Sequence, residues 1–289
     1  MKLWKSIHDY IILIRPINSI MMGLAVIVGE ITTINNIPKI NDLIFGFLVG
    51  FFLTAKSMVL NDIVDIEIDK INAPNRPLPS GRISIESAKN YAIILIILGI
   101  FFSYIISINA LLIAISAFSI SIIYNFKGKK TGFIGNLMVA YCVAIPFLFG
   151  GIVVSNTINE KILIFFILAL LTTTGREIIK GIADVEGDKI KGIKTLALKY
   201  GERKAAIIAI IFYLIAVAIT PIPIIKNIVG FWYILLIIIV DFGFIYSSIK
   251  IMKKQNKETA LEVKKESLFW MLIALLAFLI DGILKVFNF

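Results

Sequence analysis

Long apolar runs fill most of this chain, and polar residues gather in the gaps between them. A run of about 20 apolar residues is long enough to cross the hydrocarbon core of a bilayer as a helix. Such runs fall at residues 16–34, 43–60, 90–107, 110–126, 133–155, 161–179, 205–225, 228–251 and 267–287. The pattern predicts an all-α, polytopic membrane protein with nine transmembrane helices, organised as a single domain over 1–289. The polar break at Ser107-Ile108-Asn109 is so short that it leaves the count open at that point. Residues 250–266 are rich in charge and predict a solvated linker. Residues 1–15 read as a mixed amphipathic lead-in, with His8 on its surface.

Composition agrees: 59% of residues are hydrophobic and mean hydropathy is +0.94, beyond what a soluble domain needs. A net charge of +10 could suggest a nucleic-acid partner, but its distribution points to a membrane instead. With nine spans, one side of the bilayer carries every one of the 29 Lys and Arg except Lys39, Lys161, Lys226 and Lys285. The positive-inside rule makes that side cytoplasmic, so the N-terminus is expected inside and the C-terminus outside. The expected partner is the lipid bilayer and the expected location the cell membrane; no nucleic acid is implied. Cys142, alone and within an apolar run, excludes a disulfide within the chain. The first run starts at Arg15-Pro16 and is followed by eight more, which reads as a span and not a cleavable signal.

Candidate chemistry collects where the second and sixth runs end. Asn61-Asp62-Ile63-Val64-Asp65-Ile66-Glu67-Ile68-Asp69 places four acids in eight residues. In a helix continuing to Asp69, at about 100° per residue, Asn61, Asp62, Asp65 and Asp69 share an arc of about 100° while Glu67 points to the far side. Carboxylates packed this way repel. A hard divalent cation resolves the repulsion, since Mg²⁺ takes oxygen ligands and binds through one or two carboxylates plus substrate phosphates. Asp62, Asp65 and Asp69 are therefore the expected catalytic, metal-facing acids, and Asn61, at the edge of the arc, is expected to touch substrate. The loop Asn75-Arg76-Pro77-Leu78-Pro79-Ser80-Gly81 must be irregular. Its Arg76, like Arg82 just after it, suits bidentate phosphate contact. Loop 61–89 is expected to form part of a cytoplasmic cap.

The sixth run repeats this logic in Gly175-Arg176-Glu177-Ile178-Ile179-Lys180-Gly181-Ile182-Ala183-Asp184-Val185-Glu186-Gly187-Asp188. On a helix, Glu177, Lys180, Asp184 and Asp188 share one face, and Glu186 points away. Asp184 and Asp188 join the expected catalytic and metal-binding set, Glu177 and Lys180 the expected substrate contacts, and loop 180–204 the cap. The similar layout suggests an internal repeat. Arg15 and Asn18 have two readings: a helix start with a snorkelling arginine, or side chains looking into the site. Tyr124 and the basic loop Lys127-Gly128-Lys129-Lys130 likewise carry either a topology signal or substrate contacts through Tyr124, Lys127 and Lys130. Asp241 and Asp281 lie within apolar runs, where a carboxylate is a functional candidate; Asp281 is near the far interface, where solvation is expected.

Two carboxylate clusters with interspersed Arg and Lys at one membrane face suit a diphosphate bridged by Mg²⁺, and the apolar spans suit its hydrocarbon tail. If the tail is allylic, loss of diphosphate gives a resonance-stabilised cation that must be shielded from water before transfer to an acceptor. The alternative from another class is a transporter of cations or phosphate compounds. Transporters place their polar groups near the bilayer midplane, whereas these acids sit at one face.

Asn61-Asp62-x-x-Asp65-x-x-x-Asp69 followed by Asn75-Arg76-Pro77-Leu78-Pro79-Ser80-Gly81 resembles the first motif of the UbiA superfamily of intramembrane prenyltransferases. Asp184-x-x-x-Asp188 resembles the second, and Tyr124 with its lysines a weaker third feature. The resemblance implies a helical bundle around a central cavity, Mg²⁺ dependence, and a polyprenyl diphosphate held by both motifs. The short segment from Asp69 to Arg76, with Gly175–Lys180, is most similar to the archaeal digeranylgeranylglyceryl phosphate synthases of that superfamily. These use a membrane-embedded lipid acceptor, moving a geranylgeranyl group onto the free hydroxyl of geranylgeranylglyceryl phosphate. Members acting on aromatic or tetrapyrrole acceptors are the alternative. Gly181 departs from the pattern, standing where an acid is expected.

Overall fold

The computed structural model describes residues 2–34, 37–190 and 192–286. Residue 287 of the last predicted span, Lys191 of the second predicted cap loop and the two extreme ends of the predicted 1–289 domain lie outside them.

Among the described residues the fold is all-helical: α1 (Lys2–Leu13), α2 (Pro16–Thr33), α3 (Ile40–Val64), α4 (Ile66–Asn72), α5 (Ile85–Ile106), α6 (Ile108–Phe126), α7 (Phe133–Ser155), α8 (Glu160–Ala183), α9 (Val185–Ile190), α10 (Leu196–Tyr200), α11 (Glu202–Ile219), α12 (Ile222–Ile225), α13 (Phe231–Lys253) and α14 (Lys257–Val286). Nine segments in them are long and apolar enough to cross a membrane, and each matches a predicted run. The outward faces carry large apolar side chains such as Ile97, Phe101 and Phe242. A bilayer is the solvent in which that costs nothing.

The close pair α5/α6 remains two helices because Ser107 is extended and its side chain accepts from the Ala110 amide, capping α6. The linker prediction fails over 250–253, which end α13, and over 257–266, where α14 already begins. Asn256 caps it through Thr259 N at 3.0 Å. Ala260, Val263 and Ser267 form a fully buried stripe at helical spacing, and Lys250 of α13 pairs with Glu262 and Glu266 at 2.9 and 2.6 Å. The charges that made this segment look like a loop are the outer face of a helix. Solvation of Asp281 also fails. It is 3% exposed, accepts from Gly230 N at 2.5 Å and pairs with Lys161 at 3.3 Å. The start of α8 and the turn before α13 close over it.

Helix packing places α2 and α7 at the centre. α2 packs on α3, α7 and α14; α7 packs on α6 and α8; α8 packs on α11 and α14. Two apolar cavities flank this central pair. A cavity of about 70 Å³ lies among α2, α3, α6 and α7, and one of about 250 Å³ among α2, α7, α8, α11, α13 and α14. Met22 borders both. Small residues make this close packing geometrically feasible. A Cβ on Gly29 would lie 2.3 Å from the Phe147 carbonyl oxygen, and one on Gly150 2.1 Å from that of Val26.

Candidate active site

The acids stand where two long helices break. α3 stops at Asp65, whose φ and ψ are −92° and 7°, so the expected unbroken helix to Asp69 is interrupted there. The break is slight, because Asp65 N still donates to Asn61 O at 2.9 Å and Asp69 N to Asp65 O at 2.8 Å. α8 stops at Asp184 in the same way, with −105° and 11°. Asp184 N donates to Lys180 O at 3.0 Å, and Asp188 N to Asp184 O at 2.9 Å. Each long helix thus hands over to a short one at the middle acid of its cluster. This is a repeated local design, with Gly181 standing in the second copy where Asp62 stands in the first.

In the first cluster every inward acid holds a cationic side chain. Asp62 is 2% exposed and accepts from Arg15 Nη2 at 2.5 Å. Arg76 Nη1 is 2.7 Å from Asp69 and 3.6 Å from Asp62, held between them. Lys129 Nζ donates to Asp65 and to Asn61, both at 2.6 Å. Glu67 points to solvent beside Lys70, as the helical spacing predicts. Arg15 takes the site-facing reading. Its backbone is left-handed, φ 46°, an uncommon conformation for a side-chain-bearing residue that turns the chain between α1 and α2. Asn18 does not join the acids: it is exposed, 4.0 Å from the Met58 sulfur. Arg82 is a brace, bonded to Asp9 of α1 at 3.0 Å and to the Asn75 carbonyl at 2.9 Å.

In the second cluster Glu177 is buried and receives Arg176 at 2.9 Å and Lys180 at 3.2 Å. Asp188 is half-buried and Asp184 exposed. Both border a polar crevice that Glu186 and Lys257 also line.

The turn between α6 and α7 joins the two clusters. Lys129 reaches the first, while Lys130 O accepts from Lys194 N at 3.3 Å in the segment after the second. Gly132, at φ +67°, permits the approach, since a Cβ there would sit 1.9 Å from Lys194 O. Half-buried Tyr124 is close enough to both clusters to feel the charges of Glu177, Asp65 and Asp188. Lys127 and Lys130 have exposed side chains; Lys129 is the lysine of this turn that meets the acids. Spacing alone does not separate three lysines in four residues. Lys56, buried in α3 beside the smaller cavity, also escaped the sequence reading. Its signal was a lone charge inside an apolar run.

The donor set is hard oxygen, which suits Mg²⁺. Among the described residues no three acids meet at one point. Asp62 and Asp69 nevertheless converge on the Arg76 guanidinium, so a positive charge already occupies the space between two carboxylates. That fits a divalent cation bound through one or two carboxylates, with phosphate oxygens completing its shell.

The sequence pattern of the UbiA prenyltransferase family matches residues 22–276. The chain belongs to this family. Among curated relatives, digeranylgeranylglyceryl phosphate synthase of Methanocaldococcus jannaschii is 41% identical over 279 residues, covering 96% of this chain and 98% of that protein. A solved structure described as giving structural and mechanistic insight into digeranylgeranylglyceryl phosphate synthase in membranes has a TM-score of 0.90 at 40% identity, covering 96% of this chain and 99% of the other. A UbiA homologue from Archaeoglobus fulgidus, solved with DMAPP and Mg²⁺, shares the fold with a TM-score of 0.70 at 18% identity, covering 93% and 99%. Family membership and the nine apolar helices make this chain a multi-pass membrane prenyltransferase.

Proposed function

We propose that this protein transfers a geranylgeranyl group from geranylgeranyl diphosphate to the free hydroxyl of geranylgeranylglyceryl phosphate, forming an ether lipid at the cytoplasmic face of the cell membrane. The observation that carries the proposal is the junction of two acidic helix ends through the Lys129 turn, at the end of a bundle that holds two apolar cavities. The choice of acceptor is supported by the 41% identity, over nearly the full length, to a protein of that name. The orientation is supported by the positive-inside rule.

In this reading Asp62, Asp65, Asp69, Asp184 and Asp188 hold Mg²⁺ with the diphosphate. When bound, the metal neutralises the diphosphate and makes it a better leaving group. Arg76, Arg15 and Lys180 exchange carboxylate partners for phosphate oxygens and take up the charge that develops as the carbon–oxygen bond breaks. Tyr124 and Asn61 add neutral contacts to the substrate. The walls of the larger apolar cavity keep water from the allyl cation, so that the acceptor hydroxyl is the nucleophile that reaches it, giving up its proton to the released diphosphate as the ether bond forms. Segments 61–89 and 180–204 cover the site as a cap: Leu78 and Ile83 are buried against α3 and α5, and Lys194 joins the turn before α7.

The test is transfer by purified protein from geranylgeranyl diphosphate, with Mg²⁺, to a panel of acceptors. Ether formation on geranylgeranylglyceryl phosphate, abolished by EDTA and restored by added Mg²⁺, is expected. Transfer to 4-hydroxybenzoate or a tetrapyrrole alcohol but not to the glycerophosphate lipid would overturn the acceptor. Full turnover in EDTA would overturn the metal–diphosphate site.

A further inference from the structure

The smaller cavity contains a charge that the diphosphate site does not use. Lys56 lies in α3 six residues before Asp62, about 9 Å along the helix axis. Its side chain is 0% exposed. Its amine donates to the Ser121 hydroxyl at 2.8 Å and lies 4.6 Å from the centre of the Phe118 ring. Ser121 in turn bonds Ser57 at 2.8 Å. The charge pattern around the site makes this lysine unusual. Arg15, Arg76, Lys129, Arg176 and Lys180 each sit on a carboxylate, whereas the bonded partners of Lys56 are a hydroxyl and a ring face. Thr54 and Cys142 also border the cavity, and none of its lining residues is an acid.

Buried charges in proteins are paired or ligand-bound, because an unpaired charge in a low-dielectric interior is strongly unfavourable. In a cavity without an acid, the amine is either neutral while the cavity is empty or charged with an anion beside it, so an anionic ligand is what would give this lysine its charge. The cavity, about 70 Å³, has room for several water-sized groups, enough for a phosphate. A phosphate there would receive the lysine ammonium and the Ser121 hydroxyl, a mixed charged and neutral donor pair; Ser57, whose hydroxyl donates to the Leu53 carbonyl at 3.0 Å, adds a third donor by turning from it.

We propose that Lys56, with Ser57 and Ser121, is the subsite for the phosphate of the acceptor lipid, and that it selects a phosphorylated acceptor over its alcohol. This rests on the reading of the acceptor above. The flexible lysine stem turns the ammonium from Ser121 into the adjoining cavity. The acceptor phosphate is then anchored inside the bundle, while the diphosphate of the donor stays between the two acidic helix ends. Phosphate could also come from the donor, and the kinetics separate the two sources.

The experiment compares wild type, Lys56→Met and Lys56→Arg, with geranylgeranyl diphosphate as donor. The acceptors are geranylgeranylglyceryl phosphate and its dephosphorylated alcohol. Lys56→Met is expected to fold, since methionine fills the site without burying a charge, and its thermal midpoint is measured alongside. Expected are a fall of at least about tenfold in kcat/KM for the phosphorylated acceptor, carried by KM, and a change within about twofold for the alcohol and for the donor KM. Lys56→Arg should recover part of the loss. An unchanged preference for the phosphorylated lipid in Lys56→Met would overturn the subsite. So would an equal loss on both acceptors, or a rise in donor KM, which would move the lysine to the chemistry or to the diphosphate. A wild type that uses neither acceptor refutes the proposed function itself, and the subsite with it.

Discussion

Asp62 and Glu67 stand in one motif with the same charge, yet the structure gives them opposite consequences. Asp62 is 2% exposed and bonded to Arg15 at 2.5 Å, with Arg76 at 3.6 Å. Glu67 has a side chain 78% exposed and holds only Lys70. The perturbation is Asp62→Asn, which keeps shape and removes charge. Breaking a fully buried pair costs about 3–5 kcal/mol, and exposed pairs contribute about 0–1 kcal/mol. Asp62 is buried, but the side chains of Arg15 and Arg76 are about a third exposed, so roughly 2 kcal/mol is expected, a fall in thermal midpoint of about 4–8 °C. The kinetic loss should be larger in consequence. Removing one carboxylate that would hold the Mg²⁺ neutralising the diphosphate is expected to lower kcat/KM about 10²–10³-fold. The assay is labelled-prenyl transfer in detergent or bilayers, with unfolding followed on the same samples and Glu67→Gln as the control. Glu67→Gln should keep both midpoint and rate. An Asp62→Asn enzyme within threefold of wild type, at unchanged Mg²⁺ dependence, would refute the assignment of this acid to the site.

Three further outcomes follow from the same geometry. Lys129→Met should lower prenyl transfer about 10²-fold, while Lys127→Met changes it less than twofold; equal effects in a side-by-side assay would mean that this turn acts only through its net charge. Gly132→Ala combines a left-handed backbone with a Cβ 1.9 Å from Lys194 O, so the junction of the two cluster loops should open, detected as faster proteolysis within 189–195 and weaker donor binding. Asp281→Asn leaves buried Lys161 without its partner and should cost about 3–5 kcal/mol of stability with little change in kcat, since this pair sits at the end of the bundle away from the acids; a selective loss of activity with no loss of stability would contradict that structural role.

The apolar runs were enough to establish nine spans, because in lipid every backbone polar group must be satisfied within its own segment, and a helix of sufficient apolar length is the solution available. The acids were legible for a similar reason. Helical spacing gathers Asp62, Asp65 and Asp69 onto one side and sends Glu67 to the other, and this arrangement survives the small break at Asp65. Local pattern failed wherever a residue's neighbours come from elsewhere in the chain. The charged segment 257–266 is helix because Ala260 and Val263 find a buried face, and Asp281 is dry because α8 and the turn before α13 cover it. Lys129 was indistinguishable from Lys127 and Lys130 until a turn aimed it at Asp65. Lys56 carried a signal, a charge in an apolar run, but only the tertiary structure showed that its bonded neighbours are a hydroxyl and an aromatic ring. The sequence determined where helices form and which of their faces are charged, since those depend on spacing along one segment. The fold decided which charges meet, since that depends on residues from distant segments sharing one low-dielectric space.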